Sequence, residues 1–168
     1  MTKRPLGQTP SQTVGPYFAY GLTAEDYGYA NTQIASGRMA VEGLPGDHIR
    51  ISGRVFDANG KTVPDAMIEF WQADGAGRIA AGGPAGNSRF TGFGRQGTGT
   101  DPEHRFTFET VKPGRLAEDE AAANATDPVL TSVPEARRPT LIAGRTGPGT
   151  YAFDIHLQGV DETVFFDI

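Results

Sequence analysis

His48-Ile49-Arg50-Ile51-Ser52-Gly53-Arg54-Val55-Phe56 is followed at once by Asp57-Ala58-Asn59-Gly60 and then by the run 63–71. In the first run Ile49, Ile51 and Val55 fall on one face at a period of two, the pattern of a strand with one buried side. Asn59-Gly60 is a hairpin signal, because such turns need positive φ angles that glycine reaches without steric cost. In Val63–Trp71, Ala66, Ile68 and Phe70 share one face while Met67, Glu69 and Trp71 share the other. Apolar residues on both faces predict a central strand. Phe70 and Trp71 are accordingly expected in the core.

Outward from these runs the β pattern continues. Arg105–Val111 reads as a strand with Phe106 and Phe108 inward, ended by Lys112-Pro113-Gly114. Ala73–Gly99 is rich in glycine and reads as a long loop. Thr140–Arg145 and Thr150–Leu157 flank Gly147-Pro148-Gly149 as a hairpin, with Tyr151, Phe153, Ile155 and Leu157 on its apolar face. Thr163–Ile168 reads as a terminal strand, and Glu118–Asn124 as one or two helical turns. The 23 glycines and 12 prolines favour short strands joined by turns. The expected fold is therefore all-β, an antiparallel β-sandwich with an extended N-terminal arm and little helix. The arm occupies residues 1–40 and the sandwich residues 41–168. Four of the five tyrosines, Tyr17, Tyr20, Tyr27 and Tyr29, lie in the arm. Aromatic side chains are favoured interface anchors, so the arm is expected to pack on a partner or on its own domain.

Composition narrows the function. A chain of 168 residues is the size of one domain and can bury a core without staples. The absence of cysteine removes disulfides, thiolate metal sites and cysteine nucleophiles, and fits a cytoplasmic location. A net charge of -5 argues against a nucleic-acid surface. No apolar run approaches the roughly 20 residues that span a bilayer. Lys3 and Arg4 are followed by no apolar stretch, so no secretory leader is expected.

The residues offer little chemistry of their own. His48, His104 and His156 are too far apart in sequence for a paired metal-binding spacing, and read as strand or turn residues facing solvent. There is no Gly-x-Ser-x-Gly elbow. Gly92-Phe93-Gly94 reads as a glycine turn and not a phosphate cradle, because no helix pattern follows it. Asp65, Glu69 and Asp154 lie in or beside strands with nothing pairing them as acid and base. On these grounds the chain is a binding or structural β-domain.

Four stretches, in order along the chain, carry a resemblance. They are Thr9-Pro10-Ser11-Gln12-Thr13-Val14-Gly15-Pro16-Tyr17-Phe18, Ile68-Glu69-Phe70-Trp71-Gln72-Ala73-Asp74, Thr110-Val111-Lys112-Pro113-Gly114, and Phe153-Asp154-Ile155-His156-Leu157-Gln158-Gly159 through Glu162–Asp167. Together with Arg137-Arg138-Pro139-Thr140-Leu141-Ile142-Ala143 they resemble the intradiol ring-cleavage dioxygenases. That family cleaves a catechol ring between its hydroxyl-bearing carbons, using Fe(III) held by two tyrosines and two histidines. The positions matching the two tyrosines are Ile79 and Leu116, and the His-x-His pair has no counterpart. The resemblance therefore implies an α-type subunit that holds no metal, with the iron on a homologous β subunit in an αβ hetero-oligomer. Thr13, Gly15, Pro16 and Tyr17 match arm positions that line the pocket for the small aromatic substrate; no residue of this chain is assigned a catalytic role. Gly114-Arg115 passes directly to Leu116-Ala117-Glu118-Asp119-Glu120, where the family carries two further strands. Loss of those strands would leave open sheet edges. Two other functions stay open beside this one: a non-enzymatic β-sandwich binding module, and a truncated α chain that no longer assembles.

Overall fold

The run beginning at His48 folds as strand β1 (His48–Phe56), and the phenylalanine-bearing run as β4 (Arg105–Val111), both with the bounds their periodicity predicts. The computed structural model describes residues 18–30, 34–79, 89–115 and 128–166. Between β1 and β4 lie β2 (Met67–Trp71) and β3 (Phe93–Gly97); after them come β5 (Gly144–Gly147), β6 (Thr150–Ala152) and β7 (Ile155–His156). Two short α-helices, α1 (Phe18–Leu22) and α2 (Pro128–Ser132), and two 3-10 helices, Ala24–Tyr27 and Glu135–Leu141, complete the described elements. The fold is all-β with little helix, as expected.

The strands form two layers. β1 pairs antiparallel with β4 from His48 opposite Val111 to Arg54 opposite Arg105. β2 pairs antiparallel with β3 as a separate two-stranded sheet. The layers close on a core of Met39, Val55, Phe106 and Phe108, with Ile68, Phe70 and Ile155 packed against it. Phe70 stacks on Phe108 across the layers, with ring centroids 5.2 Å apart. Removing such surface from water supplies most of the driving force for folding.

Four expectations are corrected. First, Val63–Trp71 is not one strand. Pro64 and Asp65 make a bend, and β2 starts only at Met67. Second, β2 is not central. Its one partner among the described strands is β3, so its outer face meets solvent and Trp71 is 67% exposed. Phe70 is inward and half-buried, whereas Trp71 is outside the core. Third, the glycine-rich stretch contains β3. Gly94 is there because a Cβ would lie 2.8 Å from the Met39 side chain, so the layers could not approach otherwise. Fourth, residues 163–166 form no strand; Thr163 N–H bonds the His156 carbonyl at 2.9 Å, and Val164 N–H bonds Thr140 Oγ1 at 3.3 Å.

The expected turn at Gly147-Pro148-Gly149 is present and pairs β5 with β6, but the arms are shorter than expected: Thr140 and Leu141 end a 3-10 helix, β5 starts at Gly144, and the second arm breaks after Ala152, leaving Leu157 44% exposed. β6 and β7, however, run parallel to β1. Parallel neighbours cannot be joined by a tight turn, and the chain between β1 and β6 runs through β2 to β5. Glu118–Asn124 and the arm up to Tyr17 lie outside the described residues. Met39 and Ala40 are buried in the core.

Candidate functional site

The ends of β2 and β4 come together through one buried amide. Gln72 donates from its side-chain nitrogen to the carbonyls of Ala73 at 2.9 Å and Val111 at 2.8 Å. Its side-chain oxygen accepts from the buried Thr110 hydroxyl at 3.1 Å. A buried amide satisfied on both ends fixes both strands to which it is bonded. It therefore sets the turn after β2 against the turn after β4.

The turn after β2 is held by Asp74. Its Oδ1 accepts from the backbone N–H groups of Ala76 and Arg78, both at 2.9 Å. Its Oδ2 accepts from Arg78 Nε at 3.0 Å and Nη2 at 2.8 Å. The Arg78 backbone bond is the largest of the contacts that hold the Asp74 carboxyl below its ordinary range, and burial opposes them. Gly77 takes a φ of 79°. The Lys112-Pro113-Gly114 turn docks on this one: Gly114 N–H bonds the Asp74 carbonyl at 2.9 Å. A Cβ on Gly114 would stand 2.6 Å from Gly75 O and Gly77 N, so only glycine permits the contact.

Asp74→Ala is expected to lower stability by about 1 kcal/mol at neutral pH, allowing for solvent screening of the ion pair. A depressed carboxyl stabilises the fold above its unfolded pKa, and that contribution is lost as pH falls through the folded value. Thermal melts of both chains across the acid range should therefore converge at low pH.

The two turns brought together are those that carry or precede Ile79 and Leu116. Ile79 ends the first and is 54% exposed; Leu116 lies outside the described residues. A hydrocarbon side chain has no lone pair to offer Fe(III), so Ile79 does not fit a ligand role. Among the described residues no group of three or more His, Cys, Asp or Glu side chains converges. His48 donates from Nε2 to the Leu44 carbonyl at 2.8 Å, at one end of β1. His156 stacks on Phe56 at the other end, with centroids 5.0 Å apart, roughly 25 Å along the strand at about 3.3 Å per residue. His104 sits at a φ of 56°, its Nδ1 2.9 Å from Thr62 Oγ1. It is a turn residue with a specific partner and not a free surface group.

Two open clefts of about 570 and 540 Å³ flank the start of β1 and share His48, Ile49 and Gly149. Arg38 and Arg50 lie 3.8 Å from Glu109 in the first; Asp47, Lys112 and Arg145 line the second. Their mixed charges largely offset one another. Away from these clefts several large apolar side chains are exposed. Trp71 meets Phe93 edge-on at 6.0 Å, and Met67, Ile142, Val160, Phe165 and Phe166 are exposed.

Thr13, Gly15, Pro16 and Tyr17 all lie outside the described residues. The chain that follows them, 18–29, is packed on the β2–β3 layer. Gln72 was not singled out by sequence reasoning. No period or motif distinguishes a buried amide from an exposed one at a strand end; the signal is its place between an apolar strand and a glycine turn.

A profile of the dioxygenase family matches residues 14–144. The protocatechuate 3,4-dioxygenase alpha chain of Burkholderia cepacia is 48% identical over 194 aligned positions, covering 97% of this chain and 98% of its own. The alpha chain of Pseudomonas putida is 39% identical, covering 96% and 97%. The Burkholderia cepacia beta chain is 29% identical, covering 83% and 77%. Because the 194 aligned positions outnumber the 168 residues here, the first relative carries sequence with no counterpart in this chain. Among solved structures, the dioxygenase domain of a carbohydrate-binding fusion from Streptomyces sp. SirexAA-E has a TM-score of 0.53 at 23% identity, covering 94% of this chain and 100% of its own. At that identity the likeness concerns the fold alone.

Proposed function

The chain belongs to the dioxygenase family, and from that premise we propose that it is the α-type subunit of a protocatechuate 3,4-dioxygenase. The enzyme would use O2 to open the ring of 3,4-dihydroxybenzoate between its hydroxyl-bearing carbons, giving 3-carboxy-cis,cis-muconate in the catabolism of aromatic compounds. Both oxygen atoms enter the product, so no external reductant is needed. The observation that carries the reading is the pair of docked turns: the scaffold that would present the family's tyrosines is built, but its described end is Ile79.

Fe(III) would then sit on a homologous β subunit, with this chain completing the assembly. Thr13, Gly15, Pro16 and Tyr17 would line the substrate pocket from the arm. Gly15 permits close backbone approach, Pro16 stiffens the chain, and Tyr17 offers a ring and a hydroxyl. Residues 1–40 would act as the arm on a sandwich of residues 41–168. The exposed Trp71, edge-on to the half-buried Phe93, and the exposed Val160, Phe165 and Phe166 suit burial against another chain. No described helix is long and apolar enough to cross a membrane, and a cytoplasmic location fits the cysteine-free composition.

Co-expression with the β chain from the same source, followed by size exclusion and iron analysis, tests the reading. The complex is expected to co-elute with stoichiometric iron and ring-cleaving activity, while this chain alone carries neither. Iron bound tightly by the isolated chain would overturn it. A second reading is favoured by the aligned sequence that this chain lacks: a shortened α chain that no longer assembles. Failure to co-elute under conditions that assemble the Burkholderia cepacia chains would select it.

A further inference from the structure

β2 has an edge that no described strand covers. Thr98 N–H bonds the Ala66 carbonyl and Gln72 N–H bonds the Gly92 carbonyl, both at 2.9 Å. Between them Ile68 lies opposite Gln96 and Phe70 opposite Gly94. Hydrogen-bonded pairs alternate along an antiparallel ladder, so residues 66, 68, 70 and 72 turn their backbone groups to β3. Met67, Glu69 and Trp71 turn theirs the other way, where no strand among the described residues pairs with them. The far side of β3, by contrast, is occupied by residues 36–39. Arg95 N–H bonds the Ser36 carbonyl at 3.3 Å, and Thr91 N–H bonds the Met39 carbonyl at 3.2 Å.

Open edges are ordinarily guarded by proline, lysine, a bulge or a covering element. Met67-Ile68-Glu69-Phe70-Trp71 holds neither proline nor lysine, and its register with β3 is unbroken. Its single charge, Glu69, lies 2.6 Å from Arg95 of β3. Arg95 also sits over the Phe93 ring, 5.6 Å from its centroid. Met67 and Trp71, which flank Glu69 on the outer face, are 39% and 67% exposed. The edge is therefore apolar at both ends and neutralised from within its own sheet at the middle.

We propose that this edge pairs antiparallel with the same edge of a second copy of the chain, about a two-fold axis through Glu69. The free backbone groups at 67, 69 and 71 are spaced symmetrically about 69, so in that register each N–H meets a carbonyl of the other copy. On the outer face Met67 meets the second copy's Trp71. On the inner face Ile68 meets its Phe70, and the apolar layer that packs on Phe108 continues across the junction. Sliding by two residues would set Glu69 against Met67 or Trp71 and break both matches. The two Glu69 carboxylates face each other, which alone is unfavourable. Each brings its own Arg95, so the row of four charges is neutral in sum. The pairing needs neither a β subunit nor iron.

The test uses the full chain, unaltered, from about 10 µM to about 1 mM. Sedimentation should show the mass rising from one chain to two. NMR-detected exchange at the Met67, Glu69 and Trp71 amides should slow roughly threefold or more over that range, while Ile68 and Phe70, bonded within the layer, stay constant. Trp71 is the one tryptophan of the chain, so its emission should move to shorter wavelength in step with mass. Glu69→Lys alone should remain monomeric, because two ammonium groups would then face each other beside two guanidiniums. Mixed with the unaltered chain it should associate more tightly than the unaltered chain does with itself, since the introduced ammonium then faces Glu69. A chain monomeric throughout overturns the proposal. So does a doubled mass with unchanged Trp71 emission, which places the contact elsewhere. Protection of the three amides that is already high and independent of concentration assigns the edge to another segment of this chain, and protection that arises only on adding the β chain assigns it to that partner; either result overturns the pairing of copies. A mixture with Glu69→Lys no tighter than the unaltered chain overturns the axis at Glu69.

Discussion

Replacing Phe108 with alanine is expected to remove about 3 to 5 kcal/mol of folding stability, the usual cost of a large buried aromatic. Phe108 is 0% exposed. It stacks on Phe70 from the other layer, meets Phe106 at 6.0 Å and lies over Gly94 and Met39. None of these neighbours can fill the space. Gly94 has no side chain, and Phe70 is fixed by β2 pairing with β3 from Met67 to Trp71. Since domains are stable by only about 5 to 15 kcal/mol, much of the margin would go. Denaturant unfolding of the two chains should show a lower midpoint at unchanged slope. Trp71→Ala removes a larger aromatic but one already 67% exposed, and should cost the isolated chain well under about 1 kcal/mol. The ratio of the two losses measures how far burial, and not side-chain size, sets stability here.

Gly53→Ala should be nearly as damaging, for the opposite reason. Gly53 lies in β1, buried, opposite Phe106 of β4. An added Cβ would run into the Phe153 carbonyl, where the backbone crosses from β6 to β7, and would stand 2.8 Å from the Phe106 ring. Backbone cannot swing aside as a side-chain tip can, so the crossing itself must lift from β1. Overpacking of this kind costs about 1 to 3 kcal/mol, and more where backbone is displaced. The bonds lost first would be Phe153 N–H to Ser52 O at 2.9 Å and Leu157 N–H to Phe56 O at 3.0 Å. Amide exchange at residues 153 and 157 should accelerate while β4 amides stay protected. Uniform acceleration across both sheets would instead point to global destabilisation.

The two predictions divide along what could be read in advance. Phe108 was visible in the sequence as an inward residue of a period-two run. Gly53 was not, since nothing local to β1 says that a distant carbonyl crosses it. The candidate site divides in the same way. The motifs that flank Asp74 and Gly114 were legible, and so was the aliphatic residue at Ile79. Their mutual docking was not, because it depends on Gln72 reaching from the end of β2 to Val111 at the end of β4.

By itself the sequence determined the strands whose periodicity is local, β1 and β4 to the residue, the hairpin at Gly147–Gly149, and membership of a family through motifs kept in order. These depend on alternation and turn chemistry, which act between near neighbours. The tertiary structure alone decided which faces are covered. It left Trp71 outside by giving β2 a single described neighbour, and made a strand of the glycine-rich 93–97 because the layers must meet at Gly94. It also laid β6 and β7 parallel to β1. Burial is a property of what lies opposite, and the residues that lie opposite here, such as Phe70 and Phe108 or Gly53 and Phe153, are far apart along the chain, where no local pattern carries information.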